Sequence, residues 1–185
     1  MKIFINSLIV LAVAIVLSNA NAQDEIPIKI NAVTMGVGES RDDIYIYRLG
    51  LKRDFNLLST HLRFLSGYYE ASINYWMKGK EHITGAAFSP VFLFTIPSKH
   101  TYLRPYLEAG IGISIISDTV IGDRNLSSAF NFEDRIGFGL RWDKYDINFR
   151  YMHYSNAGLY QPNEGIDIFI LTLSCYFFDK PYVMN

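Results

Sequence analysis

An eight-stranded antiparallel transmembrane β-barrel, preceded by a cleaved signal peptide, is the fold the sequence predicts, and three observations predict it. The first is an export signature at the N-terminus. The second is that the chain is 50% hydrophobic and 15% aromatic, yet after that signature no run approaches the ~20 consecutive apolar residues a membrane helix requires. The third is alternation: segment after segment sets apolar residues on one face and charged or small ones on the other, the period-two pattern of a strand with lipid on one side.

At the N-terminus, Lys2 precedes the apolar run from Ile3 to Leu17, broken only by Asn6 and Ser7, and the segment ends in Ala20-Asn21-Ala22. A basic start, a short apolar stretch and small residues predict cleavage before Gln23, so residues 1–22 read as a signal peptide and 23–185 as one barrel domain. Removing Lys2 from the 17 basic residues leaves 16 against 18 acidic ones, and no basic field recruits nucleic acid. Cys175 is the only cysteine, which excludes an internal disulfide. His61, His82, His100 and His153 are scattered without the close spacing of metal ligands, and no metal or other cofactor is expected.

Strands follow in order, each about ten residues long. The first, about 28–37, alternates poorly. In the second, Tyr45, Tyr47, Leu49 and Leu51 oppose Arg48 and Lys52; in the third, Tyr69, Ala71, Ile73, Tyr75 and Met77 oppose Tyr68, Glu70, Ser72, Asn74 and Trp76. The fourth, about 83–94, is again ambiguous. The fifth is clear: Leu103, Pro105, Leu107, Ala109, Ile111, Ile113 and Ile115 alternate with Arg104, Tyr106, Glu108, Gly110, Gly112 and Ser114. The sixth sets Phe132, Ile136, Phe138, Leu140 and Trp142 against Glu133, Arg135, Gly137, Gly139 and Arg141, with Asp134 as its single exception. The seventh spans Asp146 to Ser155 and the eighth Asp167 to Phe178.

An even count of eight gives a narrow barrel whose lumen is filled by side chains. Arg48, Glu70, Arg104, Glu108, Glu133, Arg135, Arg141 and Arg150 then face inward as a paired network, and the glycines fit a crowded interior. With the N-terminus periplasmic, the connections at about 38–42, 78–82, 117–130 and 156–166 lie outside the cell, and Asp143-Lys144-Tyr145 is a tight periplasmic turn. The competing architecture is a soluble β-sandwich or lipocalin-like barrel with the apolar face inward. Aromatics at the strand ends favour the membrane girdles.

Chemistry concentrates at the last hairpin. Ile147, Phe149, Tyr151, His153 and Ser155 share the lipid-facing face of the seventh strand, and Asp167 continues the outward face of the eighth. Cross-strand neighbours on one face approach within roughly 4.5–5.5 Å between Cβ atoms, near enough for a relay. Ser155 is the candidate nucleophile, His153 the general base and Asp167 the acid that orients it. Asn156 is a candidate oxyanion donor. On spacing alone the plainer reading stays open, that His153 and Ser155 hydrogen-bond headgroups or water. Arg124 is read either as a phosphate contact or as a solvated loop arginine.

Longer motifs point to a family. His153-Tyr154-Ser155-Asn156-Ala157-Gly158-Leu159, Gln161-Pro162-Asn163-Glu164-Gly165-Ile166-Asp167, Asn131-Phe132-Glu133-Asp134-Arg135-Ile136-Gly137 and Gly122-Asp123-Arg124-Asn125-Leu126 resemble the outer-membrane lipid A 3-O-deacylases. So do Tyr47-Arg48-Leu49-Gly50-Leu51, Phe88-Ser89-Pro90-Val91-Phe92 and Glu108-Ala109-Gly110-Ile111-Gly112. The resemblance implies a bacterial outer-membrane enzyme that removes the ester-linked 3-hydroxyacyl chain from position 3 of lipid A, without metal. It implies Ser155, His153 and Asp167 as the triad and Asn156 as the oxyanion donor. Its partners would be lipopolysaccharide and outer-membrane lipid, with the oligomeric state left open, a homodimer included. The family's usual acid is glutamate, so Asp167 is one methylene short, and the tail from Asp179 to Asn185 runs past the expected terminal aromatic, Phe178. A phospholipase barrel and a non-catalytic barrel remain the alternatives.

Overall fold

The computed structural model describes residues 30–55, 65–99 and 102–177. The expected signal peptide, the start of the expected first strand, Phe178 and the tail lie outside them. Eight strands close into one barrel: β1 (Ala32–Ser40), β2 (Tyr45–Phe55), β3 (Leu65–Lys78), β4 (Glu81–Thr95), β5 (Arg104–Ile116), β8 (Phe130–Trp142), β9 (Tyr145–Ser155) and β10 (Ile166–Tyr176). Between β5 and β8, the two-residue strands β6 (Val120–Ile121) and β7 (Arg124–Asn125) pair as a separate hairpin. Each barrel strand runs antiparallel to its neighbours, and β1 closes the cylinder against β10. Below, the upper end is the one carrying the 117–129 and 156–165 connections.

Alternation in the sequence becomes alternation in burial. In β5 the odd-numbered Ile111 and Ile115 are 66% and 64% exposed, while the even-numbered Glu108 and Ser114 are 1% and 2% exposed. Apolar residues outward and charges inward is the inverse of a water-soluble barrel, and an exposed band of this kind is stable only against hydrocarbon. That inversion removes the β-sandwich and lipocalin-like alternatives.

A closed ionic network fills the middle of the lumen. Arg48 pairs with Glu70 at 2.7 Å and Glu133 at 2.8 Å, and Arg135 pairs with Glu70 at 3.0 Å and also with Glu133. Arg150 lies 2.7 Å from Glu108, whose other oxygen accepts from Tyr68 at 2.8 Å. Above this network an apolar plug of Ile44, Ile46, Trp76, Ile121, Leu126 and Ile166 seals the upper end. The lumen leaves little room for larger residues: a Cβ on Gly112 would run into Ser89 Oγ and the Phe88 carbonyl.

Three expectations need correction. The first strand sits at Ala32–Ser40, several residues later than expected, because it must register against both β2 and β10. The fourth reads ambiguously because its inward residues Val91 and Leu93 pack in a second apolar cluster with Tyr68 and Tyr106, so both of its faces are greasy. Arg104 stands apart from the network: it is half-buried at the lower rim opposite Arg141, with no ion pair among the described residues.

Candidate active site

Antiparallel pairing of β9 with β10 sets Asp167 directly opposite His153. The two side chains meet: His153 Nδ1 and Asp167 Oδ1 are 2.7 Å apart, and the side chains are 36% and 39% exposed. A histidine whose Nδ1–H is held by a carboxylate presents Nε2 as its basic nitrogen. Ser155 lies two residues above His153 on the same strand, past the last β9–β10 register pair and across from Phe132 of β8. Serine, histidine and aspartate are therefore gathered on one outward face at the upper rim. Among the described residues no hydrogen bond joins Ser155 Oγ to His153; in substrate-free sites such contacts often close only when the reacting group arrives.

The 156–165 loop shapes the rim. Ala157 and Gly158 both have positive φ, 54° and 79°, which turns the chain sharply just after Ser155. Gly165, at φ 59°, passes close beneath the imidazole: a Cβ there would sit 2.9 Å from His153 Cε1. Only glycine combines that backbone with that approach.

Asn156 does not point at the chemistry. It is fully buried, and its amide group donates to Leu126 O at 2.7 Å and Tyr160 O at 3.1 Å, while its backbone N–H donates to Asn163 Oδ1 at 3.1 Å. All its donors are spent on tying the loop together, which corrects its assignment as oxyanion donor. The signal was present in the sequence: Asn156 follows outward-facing Ser155, and alternation turns it inward.

Arg124 is likewise committed. Its guanidinium forks onto Asp42, with Nε–Oδ2 at 2.8 Å and Nη2–Oδ1 at 3.0 Å, and Nη1 donates to Glu164 O at 3.3 Å. The Asp42 carboxylate holds the Arg124 pKa above its ordinary value. Neighbouring Asn125 donates its N–H to the Glu164 carboxylate at 2.6 Å, so the β6–β7 hairpin braces the loop that follows Ser155.

Two residues near Ser155, His153 and Asp167 have no role assigned from the sequence. Asp134, the break in the sixth strand's pattern, is the register partner of His153 on the β8 side, so the imidazole has a carboxylate-bearing strand on each flank. Tyr151 donates its hydroxyl to Asp167 Oδ1 at 2.6 Å. The signal for Asp134 is the one that marks His153, Ser155 and Asp167, a polar group on a lipid-facing row. A cavity of about 460 Å³ lined by Tyr47, Ile73, Tyr75, Ala86, Ile115 and Ser117 lies on the β2–β5 wall, away from His153 and Asp167, and no histidine or carboxylate lines it.

The family described as "Lipid A 3-O-deacylase (PagL)" matches residues 45–176. A protein named lipid A deacylase PagL, from Pseudomonas aeruginosa, is 40% identical over 144 residues, covering 75% of this chain and 82% of that protein. Its namesake from Bordetella bronchiseptica is 38% identical over 113 residues, covering 58% of this chain and 61% of its own length. A solved structure titled as the crystal structure of the outer membrane enzyme PagL superposes with a TM-score of 0.71 at 37% identity, covering 78% of this chain and 98% of that one.

Proposed function

The chain belongs to the lipid A 3-O-deacylase (PagL) family, and from that premise we propose that Ser155, His153 and Asp167 carry out the hydrolysis on the lipid-facing wall of the barrel. The protein is an outer-membrane ester hydrolase acting on lipid A. The observation that carries the residue assignment is the His153–Asp167 contact at 2.7 Å, outside the lumen and beside a serine on the same face.

His153 Nε2 takes the Ser155 proton as Oγ attacks the ester carbonyl, and Asp167 stabilises the imidazolium that forms. Collapse of the tetrahedral intermediate expels the sugar 3-oxygen, which takes that proton from His153 and leaves as the 3-hydroxyl. Water, deprotonated by the same imidazole, then frees the 3-hydroxy fatty acid and restores Ser155. The developing oxyanion needs a donor other than Asn156. Asn163 supplies it in this scheme: its Oδ1 is pinned by Asn156 N–H, and no acceptor among the described residues takes its amide protons.

The outward site removes any need to extract the substrate. Lipid A diffuses laterally with its acyl chains against exposed Ile136, Phe138, Phe149 and Phe169, and its headgroup level with the rim. A half-exposed carboxylate is tolerated there because charges cost little near the interface compared with the bilayer midplane.

The test is mass spectrometry of lipid A from cells lacking the protein, expressing it, or expressing Ser155→Ala. Loss of one 3-hydroxyacyl group only with the unaltered protein supports the assignment, and fragmentation locates the vacated position. Equal loss with Ser155→Ala would remove the serine, and fatty acid released only from phospholipid would remove the substrate.

A further inference from the structure

Asp167 Oδ1 receives two donors, His153 Nδ1 at 2.7 Å and Tyr151 OH at 2.6 Å. Tyr151 lies two residues below His153 on the same face of β9, with Phe169 of β10 as its register partner and ring neighbour at 5.5 Å between centroids. Its phenol thus reaches diagonally up to Asp167 from an arm already packed against the wall.

The second bond matters because of what the acid would do without it. An aspartate has a short stem and a broad, roughly two-fold terminal torsion, and this one is 39% exposed at the lipid–water boundary. The exposed Arg41 of the β1–β2 turn also acts on its charge. A single bond to the imidazole fixes one oxygen and leaves the carboxylate free to swing about it. A donor from the deeper side, on a rigid ring, fixes the direction in which that oxygen points. Asp134, facing His153 from β8, has no such clamp among the described residues and no bond to the ring.

We propose that Tyr151 is a positioning residue for the deacylation: its hydroxyl locks the Asp167 carboxylate against His153 Nδ1, giving an aspartate the fixed reach that a longer acid obtains from its extra methylene. The proposal rests on the triad assigned above. It makes Tyr151 part of the enzyme's turnover and not of its substrate binding, although the residue lies among the aromatic side chains of the lipid-facing wall.

The test uses the full-length protein folded in detergent micelles, purified lipopolysaccharide as substrate, and released 3-hydroxy fatty acid as the readout. Tyr151→Phe keeps the ring and deletes the hydroxyl; kcat falls about tenfold while KM stays within about twofold, because the lost bond orients the acid and touches no part of the substrate. Folding is checked by heat-modifiable gel mobility, which stays that of the unaltered barrel. Where the acid itself is changed, by Asp167→Glu or Asp167→Ala, the added effect of Tyr151→Phe shrinks below about twofold, the non-additivity expected of groups acting through one another. Unchanged kcat in Tyr151→Phe, alongside an inactive Ser155→Ala, overturns the inference and leaves the triad standing. A tenfold loss that persists undiminished in both Asp167 backgrounds overturns it as well. Full activity in Ser155→Ala would instead overturn the triad on which it rests.

Discussion

Charged residues gather in two regions of this barrel, and the two are built differently. In the lumen, Arg48, Glu70, Glu133, Arg135 and Arg150 are almost wholly buried and paired with one another across β2, β3, β8 and β9. At the upper rim, His153 and Asp167 are over a third exposed, and Ser155 and Asp134 beside them are half-buried, with no side-chain hydrogen bond to either among the described residues. A paired network sealed inside the lumen fixes shape and is out of a substrate's reach. A half-satisfied one at the surface keeps a basic nitrogen and a hydroxyl available for chemistry. Location follows from the same physics: charges are stable inside this narrow barrel when paired or hydrogen-bonded, and stable outside only near the interface.

Mutations that exchange activity for stability sharpen the contrast. The largest expected effect is at the rim: Ser155→Ala lowers turnover by at least about a thousandfold, with urea unfolding in micelles unchanged. In the lumen the signs reverse. Glu70→Ala leaves three arginines short of a partner and costs about 3–5 kcal/mol of barrel stability, while activity per folded molecule is retained; loss of activity without loss of stability would erase the distinction. Asn156→Ala is intermediate: with Leu126 O and Tyr160 O left unpaired, it costs about 1–3 kcal/mol and opens the 156–165 loop to protease, whereas Asn163→Ala removes one loop bond instead of two, opens the loop less and lowers kcat. The smallest effect is at Arg124, whose pair with Asp42 is about a third exposed. Arg124→Ala shifts stability by roughly 0–1 kcal/mol, and less at high salt.

How much of this was readable in advance depended on whether the two faces of a strand differ. β5, β8 and β9 contrast apolar with polar rows and were legible almost to the residue. β4 was not, because Val91 and Leu93 face an apolar pocket of the lumen. β6 and β7 are two residues each, too short to leave a period, and they sit inside what reads as a loop. At the site, alternation placed His153, Ser155 and Asp167 on one face, but not the register that joins His153 to Asp167, since a long loop does not specify which residues pair. Asp134 broke the pattern in the same way as the triad and was passed over as an exception. Asn156 was assigned by adjacency to Ser155, although adjacent residues in a strand face opposite ways. The Tyr151–Asp167 bond spans two strands on the diagonal, a contact that no one-dimensional pattern encodes.

Ser155, activated by His153 on the outer wall, is the nucleophile we propose for this protein. Covalent labelling with an alkyl fluorophosphonate, followed by peptide mass spectrometry, tests it most directly. One adduct is expected, on the peptide containing Ser155, forming in step with loss of deacylase activity and absent from His153→Ala. Inactivated protein carrying its adduct on another residue, with Ser155 unmodified, would contradict it.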